Sequence, residues 1–243
     1  MRFLFTLFLT IIILSTFAQE NKQSSFSFGY THQLPIGDLA ERFEDNSSIG
    51  FSFMQEKESN LFYGIEANYL FSNNVKDNAI LKNITTSNGA IIGADGTYSD
   101  INLSQRGFDA YIFAGYAYHP KKTNLSGFYL SGGIGFLQHQ IFIDTKNQTI
   151  PQLNNEMKKG YDRLTNGISS NWQATYRYYD KSGKFQIYLG LNMVLAYTKI
   201  QRKYLFDKME YTPNTKSWDK LAGVKIGIII PINRKNEEEF HYY

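Results

Sequence analysis

The sequence contains no cysteine and only 5 prolines in 243 residues. With no thiol there is no disulfide framework, no thiolate metal site and no cysteine nucleophile. Long apolar runs are missing too, apart from one at the very start. Nothing downstream approaches the roughly 20 apolar residues of a membrane-crossing helix, which excludes a polytopic helical membrane protein. Charge of one sign is not in excess: 25 Lys and Arg face 22 Asp and Glu, and the mean hydropathy is −0.36. The densest basic pairs, Lys121-Lys122 and Lys158-Lys159, read as solvated loop tips without interleaved aromatics. Nucleic-acid binding needs clustered cations and is set aside. Histidine is scarce. His32, His119, His139 and His241 form no H-x-x-x-H or H-E pair, so neither a metal site nor a cofactor is expected.

Aromatic residues, in contrast, are abundant: 19 Phe, 18 Tyr and 2 Trp make 16% of the chain. With 42% apolar residues, this argues against a disordered polypeptide. At the start, Arg2 precedes the apolar run Phe3–Leu14, and small residues follow at Thr16 and Ala18. The pattern predicts a secretory signal peptide over residues 1–18, cut after Ala18. No cysteine follows the cut, so no lipoprotein anchor is expected there.

The body is organised by a period of two. Phe185, Ile187, Leu189, Leu191, Met193, Leu195 and Tyr197 alternate with a smaller, more polar set. Trp218–Ile230, Leu61–Ser72 and Ile168–Tyr178 do the same, and further strands are expected at Ser25–Gln33, Ser47–Lys57, Gly107–Tyr118 and Gly127–Asp144. Most of these eight segments reach the roughly 9–11 residues of a lipid-crossing strand. Ordinary strands have a mode of about 5–6. Aromatics gather at segment ends (Tyr69, Phe71, Tyr116, Tyr118, Tyr176, Tyr178, Trp218), as interfacial girdles require. Connections alternate between short (58–60, 119–126, 180–184) and long (34–46, 73–105, 146–166, 200–217). The expected fold is therefore all-β: an eight-stranded antiparallel up-and-down transmembrane barrel over residues 19–232. Its long loops are extracellular, both ends of the chain are periplasmic, and residues 233–243 form a charged tail. A soluble lipocalin-type barrel or a secreted sandwich would show the same periodicity. Strand length, aromatic ends and loop asymmetry favour the membrane form.

In an eight-stranded barrel the interior is just wide enough for side chains. Glu66, Asp109, Arg177 and Lys225, with Asn68 and Gln173, fall on the inward set and are expected to pair in one network that plugs the lumen. This reads as stabilisation of the barrel; a proton-relay or transport role is the alternative. Outside, the segment 158–167 holds Lys158, Lys159, Tyr161, Asp162 and Arg163 between turn formers. It is expected to face outward as a docking surface for a partner, or else as an ordered loop facing water or lipopolysaccharide phosphates. The long segment 73–105 contains the turn signals Ser87-Asn-Gly89 and Ala94-Asp-Gly96. Ile91-Ile92, Ile101 and Leu103 suggest that strands continue above the membrane, covering either a neighbour or the protein itself. Asp38, Glu41 and Arg42 fit one short helix, which Asp38 could cap. Asp95, Asp100 and Asp144 lack the ligand spacing of a calcium loop. His139, near the outer end of its strand, would be the base if a serine converged on it for lipid hydrolysis.

Leu34–Phe43, Ser48–Phe53 and the closing segment Leu221–Ile232 resemble the small outer-membrane β-barrel proteins of Bacteroidota. That resemblance implies an eight-stranded outer-membrane barrel and no catalytic residues. It includes accessory barrels of gliding and type IX secretion machinery. The expected function is thus that of a non-enzymatic accessory subunit of an outer-membrane complex for protein secretion or outer-membrane protein assembly. Its partners would be other outer-membrane proteins, membrane lipid and lipopolysaccharide. A lipid A or phospholipid hydrolase built on His139 and a surface adhesin or receptor are the alternatives.

Overall fold

The computed structural model describes residues 21–121, 125–146, 148–180 and 186–232. The expected signal peptide, the tail 233–243, Phe185 and most of the 180–184 turn lie outside them. Eight long strands run up and down: β1 (Asn21–Gly37), β2 (Asn46–Lys57), β3 (Leu61–Ser72), β4 (Asn102–Tyr118), β5 (Gly127–Asp144), β6 (Thr165–Tyr179), β7 (Gln186–Ile200) and β8 (Ser217–Pro231). Each pairs antiparallel with the next, and β1 closes on β8 from Ser25↔Pro231 to Gly37↔Asp219. Closure leaves no unpaired edge, the condition for a sheet to survive in lipid.

The alternation points the apolar set outward. Ile134 is 73% exposed and Ile168 76%, while Leu189 and Ile226 also face out. Glu66 and Lys225, on the opposite parity, are each 5% exposed. Removing one large aliphatic side chain from water contributes about 1.5–3 kcal/mol. A soluble fold would forgo that gain at dozens of positions, and monomeric soluble proteins do not display an apolar wall of this extent. The charges point into the barrel, so the lipocalin-type and sandwich alternatives are discarded.

Several strands outrun their expected bounds, β1 and β4 the most. Past Gln33, β1 pairs with β8 alone, which accommodates Pro35 and its missing N–H. Residues 102–104 of β4 pair only with residues 142–144 of β5, as a ribbon standing above the rim. Its inner side carries Ile143, continuing the inward set from Ile141 just below.

The four long connections fold onto one another. The first begins at Gly37, whose φ of 69° suits glycine, and turns through a 3-10 segment, Asp38–Glu41, with Arg42 just beyond it. Asp38 does not cap this turn; its carboxylate instead accepts the backbone N–H of Trp218 at 3.4 Å. The turn lowers Leu39 and Phe43, both essentially fully buried, into the barrel mouth. They join one core with Val75, Ile80 and Ile91 of the second loop and Ile150, Leu153 and Tyr161 of the third. The signal at 94–96 closes a small hairpin that pairs Ile91–Ile92 with Tyr98–Ser99. The second loop is thus a self-packed cap.

Candidate functional site

The lumen is filled in three tiers. At mid-height, Lys225 Nζ on β8 lies 2.8 Å from Glu66 Oε2 on β3. Gln173 of β6 donates to both Glu66 oxygens, at 3.2 and 3.0 Å. Asn68 donates to Glu66 at 2.9 Å and to Asp109 of β4 at 2.6 Å. Five side chains from four strands therefore meet across the axis. Such a network clamps opposite walls together, and breaking one partner strands a buried charge.

Arg177 is not part of that group. It sits nearer the short-turn end, 4.9 Å from the Tyr129 ring centroid and 5.7 Å from that of Tyr188. Beside it lies a pair unforeseen from the sequence. Glu56 Oε1 is 2.8 Å from His119 Nε2, and Glu56 Oε2 accepts the Tyr129 hydroxyl at 2.8 Å. Glu56 shares inward parity with Met54, which could have flagged it; His119 belongs to a turn, where no periodicity applies. Below the mid-height network, Met54, Phe62, Phe113 and Tyr179 complete an apolar stopper.

The upper tier is built around Asp219 of β8. Its Oδ2 accepts from Thr198 Oγ1 at 2.6 Å and lies 2.9 Å from His139 Nε2. Arg42 approaches Oδ1 at 3.7 Å and donates to Thr165 Oγ1 at 3.4 Å. Burial pulls the Arg42 guanidinium below its ordinary value, and Asp219 opposes that shift. Phe43 packs edge-on against the His139 ring at 5.7 Å. His139 is 1% exposed and shares inward parity with Leu137 and Ile141. It cannot meet a lipid ester at the outer wall, so the hydrolase reading loses its base.

The loop segment 158–163 also departs from expectation. Tyr161, Asp162 and Arg163 are buried within the cap and are not presented to a partner. Arg202 Nε donates to Asp162 Oδ1 at 2.8 Å, with a second contact from its Nη2 to Oδ2, and Asp162 holds this guanidinium above its ordinary value. Arg163 pairs with Asp77 at 3.2 Å and with Asp207. The Tyr161 ring packs edge-on against Phe206 at 5.4 Å, and burial raises its hydroxyl pKa. These partners come from the second and fourth loops, so spacing within the third could not reveal them. Lys158 is half-buried; Lys159 is exposed and pairs with Glu156 at 2.8 Å. Asp95 is spent on its own turn, where the Thr97 N–H keeps its carboxyl below the usual range, and Asp100 pairs with Lys146. Among the described residues no group of three or more His, Asp or Glu side chains could hold a metal ion.

Among charged side chains such as Glu156, Lys159 and Glu210, the cap also exposes large apolar ones. Tyr98 is 73% exposed, Met209 70% and Tyr211 80%, on the hairpins of the second and fourth loops. Met157 of the third loop is also exposed.

No protein-family model and no curated protein sequence matches the chain. Solved structures that resemble it in shape include the following three. Neisserial surface protein A matches at 11% identity and a TM-score of 0.45, over 87% of this chain and 99% of that one. The attachment invasion locus protein Ail of Yersinia pestis, solved with the heparin analogue sucrose octasulfate, matches at 8% and 0.42, over 87% and 100%. The N-terminal β-barrel domain of Pseudomonas aeruginosa OprF matches at 9% and 0.39, over 87% and 100%. The closed eight-stranded antiparallel barrel rests on this chain's own strand register.

Proposed function

We propose that this protein is a non-conducting, non-enzymatic barrel of the Gram-negative outer membrane. It serves there as an accessory subunit of a protein-secretion or outer-membrane-assembly complex. Its short turns and both chain ends face the periplasm, and its capped loops face outward. The lumen is bridged by the Glu66–Lys225 network and stoppered by aromatics, which leaves the loop cap as the part free to act. The observation that carries the reading is a contrast within that cap. Its interior is packed and ion-paired, yet Tyr98, Met209 and Tyr211 stand out from that core, Tyr211 meeting the Tyr204 ring of its own hairpin edge-on at 5.2 Å. Exposed aromatic and methionine side chains on a rigid platform are what a protein interface uses as anchors.

The test is co-purification of the tagged, full-length protein from its native membrane in mild detergent, after cross-linking. Wild type should bring down a defined set of outer-membrane proteins. The triple variant Tyr98→Ala, Met209→Ala, Tyr211→Ala should lose them while still migrating as a folded barrel on unheated gels. Recovery of a lone monomer at every detergent ratio would count against the proposal.

A further inference from the structure

On the outer wall, two recesses meet. The larger, about 770 Å³, is an apolar groove whose floor is the register pair Ala67↔Ala110, with Phe28, Phe51, Tyr69 and Phe108 rising around it. The smaller, about 300 Å³, lies toward the loop side and shares Tyr69 and Phe108 with the first. Its polar lining is Arg106, Gln138 and Gln140, with Phe142 at its edge. Register places Arg106 opposite Gln140, and Phe108 opposite Gln138. The register pair Tyr69↔Phe108 thus forms the boundary that the groove shares with a polar crown at the loop-side rim.

Arg106 sits in that crown without a counter-ion. Its Nη1 donates to two backbone carbonyls, Gln105 O at 2.8 Å and Ser72 O at 3.4 Å, and its guanidinium lies 6.0 Å from the Phe142 ring centroid. No carboxylate among the described residues pairs with it. Elsewhere the loop arginines all have such partners: Arg42 with Asp219, Arg163 with Asp77, Arg202 with Asp162. A fixed cation at the edge of lipid, above an apolar channel, complements an amphiphile bearing an anion at its head. Gln138 accepts from Asn166 at 3.4 Å through its oxygen, which leaves its amide N–H groups to donate. Because the site lies on the loop side, its occupant comes from the outer leaflet.

We propose that this wall binds lipid A, the phosphorylated and acylated glycolipid of the outer leaflet. One acyl chain would lie over Ala67 and Ala110, and a phosphate would be held by Arg106 and the amide groups of Gln138 and Gln140. The proposal rests on the outer-membrane reading above and adds a lipid ligand to it.

The full-length barrel, purified and delipidated in detergent, is titrated with bisphosphorylated lipid A or with phosphatidylglycerol, and retention is read by native mass spectrometry. Wild type should retain lipid A and not phosphatidylglycerol. Arg106→Ala should weaken retention at least about tenfold, the usual scale for losing a hydrogen bond to a charged group. Ala110→Phe fills the groove from the lipid side, outside the core, and should weaken it comparably. Lys216→Ala removes another rim cation, one that lies over Tyr197, and should change nothing. Equal retention of the two lipids, unaltered binding by both the Arg106 and Ala110 variants, or an equal loss in the Lys216 variant would each overturn the proposal. Failure of the outer-membrane reading looks different: the leaderless chain would fold in buffer without detergent.

Discussion

Lys225 and Glu66 face each other across the lumen at 2.8 Å, each almost fully shielded from water. A pair this enclosed contributes little net stability against an apolar replacement, but removing one member leaves an uncompensated charge. Lys225→Met should therefore cost about 3–5 kcal/mol in urea unfolding from detergent or liposomes. The double variant with Glu66→Gln should recover much of that loss; an additive double loss would show that the two side chains do not act as a pair. Strand parity made this contact legible, because residues 66 and 225 both fall on the inward set of well-patterned strands. Parity failed for Arg177, which is inward yet sits in a different tier. Alternation sets which way a side chain points, not how far along the axis it lies. It also offered nothing for Tyr161, Asp162 and Arg163, whose burial depends on Asp77, Arg202 and Asp207 arriving from other loops.

The strands were readable as elements because lipid on one side and a narrow lumen on the other impose a strict two-residue repeat. Their ends were less so. Extensions such as residues 102–104 are supported by the loop cap rather than by lipid, and there the repeat loses its cause. Within the strands, small inward positions make room for large ones across the lumen. A Cβ on Gly29 of β1 would meet the Tyr188 hydroxyl of β7 at 2.0 Å and the Ile226 backbone oxygen at 3.1 Å, so the Tyr188 ring would have to shift. Gly29→Val should destabilise the barrel by about 1–3 kcal/mol, the usual cost of overpacking. Adding Tyr188→Ala should lessen that penalty, as read from the midpoint of thermal unfolding on heat-modifiable gels. The first loop behaves as an element of the plug. Phe43 is buried against His139, so Phe43→Ala should cost about 3–5 kcal/mol by the same assay, and a loss below 1 kcal/mol would mean that the loop does not seat in the barrel mouth.

At the scale of the whole molecule, the barrel is closed around its wall and crowded along its axis. In planar lipid bilayers the purified protein should show no stable open-pore conductance step; a reproducible step would refute the plugged lumen. Its outward chemistry is then divided between two surfaces, a lipid-facing wall with the Arg106 guanidinium at its rim and a cap with exposed aromatic tips. The sequence by itself determined the strand number, the up-and-down order, the loop asymmetry and the inward set of charges, since each follows from a local repeat that solvent and lipid read one residue at a time. Only the tertiary structure decided which charges meet, that His139 faces Asp219 instead of the membrane, and that the third loop turns its most distinctive residues inward. Those outcomes depend on strand stagger and on loops distant in sequence packing together, and no local pattern encodes either.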